Sequence, residues 1–99
     1  MTIDRVHSIL ESLIKNSKAR MAYYALQREG FLHGNYVLSV PFAVEVIEKE
    51  LGVGHVTAGR YLKLLGKMHH VVKTIGVGLL HVKSLQDLLA ENDGHNVTN

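Results

Sequence analysis

Three cations recur at steps of three and four in one stretch. They are Arg60, Lys63 and Lys67, within His55-Val-Thr-Ala-Gly-Arg-Tyr-Leu-Lys-Leu-Leu-Gly-Lys67. That spacing puts side chains on one face of an α-helix. His55, Thr57 and Gly59 fall on the same outer side, with Tyr61 beside them. A face made of cations, a hydroxyl, an imidazole and a bare backbone does no bond-making. Its chemistry is recognition: a guanidinium offers paired donors to two acceptors, and an ammonium offers a point charge to a phosphate.

Other chemistries are weaker on the same residues. Gly52-Val-Gly54 lacks the third glycine of a dinucleotide fingerprint and follows a helical pattern instead of a strand. Gly54 to Arg60 has a phosphate-loop spacing without Lys-Ser or Lys-Thr. His69, His70 and His81 could meet across a hairpin, but adjacent strand residues point to opposite faces, so no metal site is read. With no cysteine there is no thiol nucleophile and no thiolate zinc site. No set of nucleophile, base and orienting group is visible, so we read no enzyme and no cofactor.

Charge is unevenly spread. Met1 to Glu50 holds six Lys/Arg and six Asp/Glu. Leu51 to Gln86 holds five Lys/Arg (Arg60, Lys63, Lys67, Lys73, Lys83), four of the seven histidines and no acid. From Asp87 on there are three acids and no Lys/Arg. An acid-free block of this kind suits a polyanionic partner.

The elements that must position these residues fit one domain of 99 residues, enough for a single modest core. Residues 1–16 read as an amphipathic helix, capped by Thr2 or Asp4. Ile3, Val6, Ile9, Leu10, Leu13 and Ile14 form its apolar stripe. An appended stripe of this kind can fold onto its own domain or pair with the same helix of another subunit; the second is the expectation, a homodimer through Ile3, Val6, Leu10, Leu13 and Ile14. Lys18 to Glu29 reads as a second helix, opened by Asn16 or Ser17 and closed by Gly30, with Met21, Ala22, Tyr24, Ala25 and Leu26 inward. Of the adjacent Tyr23 and Tyr24, one should pack and the other line an interface. A short extended piece, Tyr36 to Ser39, follows.

Residues 41–68 read as helix, tight turn, helix. Pro41 suits a first helical turn, Gly52 a left-handed stop, and Val53 should plug between the helices. Glu45, Glu48, Lys49 and Glu50 mark the first of the pair as a scaffold. Ala58, Leu62, Leu65 and part of Tyr61 form the inner face of the second. Gly59 on the outer face would let a partner approach the backbone; Gly66 has no evident reason in the sequence. Residues 69–83 read as two strands around Gly76-Val-Gly78, and the doublets Val71-Val72 and Leu79-Leu80 leave their facing open. Ser84 should cap a last helix in 84–91, and 92–99 should be a frayed tail.

Leu51-Gly-Val-Gly-His-Val-Thr-Ala-Gly-Arg-Tyr-Leu-Lys-Leu-Leu resembles the core of winged helix-turn-helix transcription regulators. Where such proteins often carry Gly-Leu-Ile after the recognition helix, this chain has His69-His70-Val71. The resemblance implies an α+β, mostly helical fold: a winged helix-turn-helix with an extra N-terminal helix and a two-stranded wing hairpin. It implies sequence-specific binding of double-stranded DNA by a homodimeric regulator. His55, Thr57, Arg60 and Tyr61 would read bases, while Lys63, Lys67, Lys73 and Lys83 would meet phosphates. The alternative is a winged-helix module that binds proteins in a replication or other nucleoprotein assembly. No apolar run approaches the roughly 18 residues of a membrane span, and the N-terminus has no apolar leader core, so a cytoplasmic, DNA-associated location is expected.

Overall fold

The computed structural model describes residues 3–97, with the side chains of 5–91. The order is α1 (Ile3–Leu13), α2 (Ser17–His33), β1 (Val37–Ser39), α3 (Val40–Leu51), α4 (His55–Lys67), β2 (Val72–Gly76), β3 (Leu79–Val82) and α5 (Leu85–Val97). The fold is α+β and mostly helical, with one small antiparallel sheet ordered β1-β3-β2. The sheet has three strands, not the two of a hairpin alone. The extended piece before Pro41 pairs with β3, Leu38 opposite Leu80.

Local chemistry sets most boundaries. The Asn16 side chain accepts from the Ala19 N–H at 3.0 Å and starts α2. Ser39 accepts from the Phe42 N–H at 3.2 Å and starts α3, with Pro41 in its first turn. Gly52, at φ 64°, ends α3. Ser84 accepts from the Asp87 N–H at 3.1 Å and starts α5.

Three helix ends differ from the sequence reading. The first helix stops at Leu13 instead of Asn16. The second continues through Gly30 to a left-handed Gly34, φ 66°. Gly30 is buried mid-helix because Tyr36 crosses there, and a side-chain carbon at that position would run into the ring. The last helix runs to Val97, so the backbone of 92–97 is helical; Thr2, the side chains of Ile3 and Asp4, and residues 98–99 lie outside the described residues.

The core gathers around α2, whose Ala19, Ala22, Tyr23, Ala25 and Leu26 are fully buried. Met21, expected inside, is exposed. The apolar stripe of the N-terminal helix finds its home in its own chain. Leu10 and Ile14 have no exposed surface, and Val6 and Leu13 pack partly on the same core. Leu10 and Ile14 therefore cannot form the dimer interface expected of them.

The sheet closes the opposite side. Leu38, Val72, Leu80 and Val82 face inward, which settles the Leu79-Leu80 doublet in favour of Leu80. Val71 is buried too. It lies just before β2, where His70 takes a left-handed φ of 57° as the chain turns out of α4. The buried Tyr23 hydroxyl donates to the Lys83 carbonyl at 2.8 Å and ties α2 to the end of β3.

Three variants test this packing. Gly30→Ala must displace Tyr36 and should destabilise by about 1–3 kcal/mol. Gly59→Ala, which meets nothing within 4 Å, should stabilise by up to about 1 kcal/mol. Urea denaturation of both variants checks the contrast. Burial also raises the Tyr23 pKa above its ordinary 10.0, because desolvation disfavours the phenolate. The folded chain then keeps a proton that the unfolded chain releases, so this contribution is intact below pH 10 and lost as pH rises beyond it. Tyr23→Phe should cost about 0.5–1.5 kcal/mol at neutral pH and flatten the alkaline fall in stability measured from pH 9 upward.

Candidate nucleic-acid interface

The candidate surface is the outer face of α4 with the adjoining strand β2. Ala58, Leu62 and Leu65 hold α4 to the core, with Tyr61 and Leu64 half-buried beside them. The three- and four-residue steps then leave Arg60, Lys63 and Lys67 exposed. Val53 packs partly on the core from the turn before α4. Gly54 precedes the helix and supplies no side-chain cap, so the first-turn amides remain open to an anion.

Lys73 is exposed on β2, opposite His81 of β3. The helix comes close to this strand at Gly66, where an added side-chain carbon would sit 3.4 Å from the Val72 carbonyl oxygen. That is an ordinary contact distance, so the strand's approach does not by itself require a glycine at this position. Gly59, two turns earlier, faces open space.

The glutamates of α3 do not reach the Lys and Arg side chains of α4. Each glutamate of α3 is already engaged: Glu45 with Lys49 at 3.4 Å, Glu48 with His55 at 3.1 Å, Glu50 with Arg28 at 3.2 Å. Among the described residues, Arg60, Lys63, Lys67 and Lys73 have no ion-pair partner. An uncompensated group of four cations sets up a positive potential that a nearby acid would cancel.

The residues singled out in the sequence are not all brought together. Thr57 is half-buried, and Tyr61 packs partly against the core, so its ring is only partly available. His55 is exposed, but its Nδ1 is held by the Glu48 carboxylate. Lys83 departs from the expected phosphate set, because its ammonium is 3.0 Å from the Glu91 carboxylate of α5 and largely shielded. The α5 acid that meets it stands eight positions on in the chain, and only the tertiary fold joins them.

The histidines divide as well. His69 donates from Nδ1 to the Leu13 carbonyl at 2.9 Å, bonding the open end of α1 to the segment after α4. It ties two segments of the fold together. No sequence signal marks it, because the partner is a backbone carbonyl 56 positions away. Among the described residues, no group of three or more His, Asp or Glu side chains could hold a metal ion. No helix among them is long and apolar enough to cross a membrane.

Compared with known protein families, with curated proteins and with solved structures, the chain matches none.

The exposed cations have no partner in the fold to lose. Arg60→Ala, Lys63→Ala and Lys67→Ala should each leave the unfolding free energy within about 0.5 kcal/mol of the parent, as for surface positions generally. Chemical denaturation checks this, and a loss above about 1 kcal/mol would show that the residue serves the fold.

Proposed function

We propose that the chain is a winged helix-turn-helix protein that binds double-stranded DNA and acts as a homodimeric transcriptional regulator. In this reading α3 and α4 are the helix-turn-helix, α4 enters the major groove, and the β2–β3 hairpin is the wing. The observation that carries the reading is the set of four exposed cations on α4 and β2 without a carboxylate partner. A duplex supplies the missing anions at regular spacing, and the open first-turn amides of α4 suit a phosphate. Arg60 and Thr57 are the base readers of choice. Lys63, Lys67 and Lys73 are assigned to phosphates, and Lys83 is not.

The homodimer needs a surface other than Leu10 and Ile14. A second reading, a winged-helix module that binds a protein, draws on the hairpin tip. There Ile75, Val77 and Leu79 are exposed apolar residues. A wing that served phosphates alone would gain nothing from them.

Salt separates the readings. Binding of a generic duplex should weaken with a log–log slope of about −0.9 for each phosphate neutralised. A flat response, or no binding at low salt, would overturn the DNA reading and favour the second. Within the DNA reading, Arg60→Ala should cost roughly 1–3 kcal/mol on the preferred site and relax preference at one base position. Lys67→Ala should weaken preferred and scrambled duplexes alike and reduce the slope by about one unit per site. If Arg60→Ala weakens both duplexes by the same factor, Arg60 meets a phosphate and α4 is docked differently.

A further inference from the structure

A groove of about 520 Å³ lies between α4 and the sheet. Its floor is apolar, built by Val40, Val44, Leu62, Val72 and Leu80, and the two glycines of α4, Gly59 and Gly66, leave it room. Lys63, Lys67 and Lys73 are its only charged lining residues. The volume lies within the roughly 300–1,000 Å³ of small-molecule sites, which are typically apolar with a few placed polar groups. Lys63 and Lys67 stand one helical turn apart on the same wall, both exposed and without an ion-pair partner among the described residues.

We propose that this groove binds a small soluble amphiphile with an apolar body and a single anionic head, such as an aliphatic carboxylate. The body lies on the valine and leucine floor across Gly59 and Gly66. The head meets Lys63 and Lys67. A neutral molecule would leave both ammonium groups unmatched, and a compact inorganic anion would leave the floor unused. The site is defined without reference to DNA. Its regulatory consequence does rest on the DNA reading: because Lys63 and Lys67 are also the assigned phosphate contacts, the amphiphile and a duplex would compete for them.

The test is titration of the full chain with dodecanoate below its micelle concentration, without DNA, followed by calorimetry and amide NMR. Saturable binding is expected, with the largest shifts at Gly59, Gly66 and Thr74. Affinity should rise by up to about fourfold for each methylene from octanoate to dodecanoate. Gly59→Leu fills the groove from a position with open space around it, and should weaken binding at least tenfold. Lys63→Ala with Lys67→Ala should weaken dodecanoate at least tenfold and leave dodecanol unchanged. Three results would each overturn the proposal: no saturable binding, shifts centred away from the groove, or dodecanol bound as tightly as dodecanoate by the parent chain. The NMR map uses the unaltered protein, so it decides even if a variant misfolds. If dodecanoate binds as described but does not displace a duplex that the protein binds, the site stands and only the regulatory consequence falls.

Discussion

The structure depends on how closely other elements can approach α2. Ala19, Ala22 and Ala25 put almost no side chain between its backbone and its neighbours, while Tyr23 and Leu26 fill what remains. This one helix packs against α1, α3, α4 and β3. Larger residues at the alanine positions would push α3 and α4 outward and open the core at its centre, where interiors tolerate little change in volume. Tyr23 adds direction to that packing. Its hydroxyl ends on the Lys83 carbonyl, so a ring buried for its area is also satisfied as a polar group.

From that anchor the cationic face follows by subtraction. α4 is held by Ala58, Leu62 and Leu65, and whatever lies about half a turn away must face solvent. The same geometry commits α3's glutamates to Lys49, His55 and Arg28 instead of to α4's cations. Individually such exposed pairs contribute little to stability. Their effect here is on the field: the glutamates of α3 are answered by Lys49, His55 and Arg28, and Arg60, Lys63 and Lys67 of α4 are left unanswered.

Small residues have separate tasks that composition alone does not distinguish. Gly52 supplies a left-handed stop between α3 and α4. Gly30 does nothing of the kind, being helical, and makes room for the Tyr36 ring. Gly59 and Gly66 line the groove between α4 and the sheet, where neither puts a side chain into the space. The connection after α4 is made by polar contacts of long reach. His69 binds the end of α1, and the left-handed His70 redirects the chain so that Val71 and Val72 are both buried.

Much was legible in the sequence wherever the cause is local. Asn16, Pro41 and Ser84 mark helix starts, Gly52 marks a stop, and the three- and four-residue steps of α4 mark its inner and outer faces. These signals act within a turn or two, so the chain carries them in order. What was not legible needs partners far apart in sequence. Gly30 reads as a stop until Tyr36 is seen against it. The stripe of α1 fits another subunit equally well until Leu10 and Ile14 are found inside their own core. The extended piece at Val37–Ser39 has too few residues to announce a strand, and becomes one because β3 offers it a ladder. Lys83 counts as a free cation until α5 brings Glu91 to it. The sequence by itself determined where α2 to α5 begin, which face of α4 is polar and where the acid-free block lies. Tertiary structure alone decided which cations stay unpaired and which apolar stripe is already satisfied, because both depend on distances that close only when the core forms.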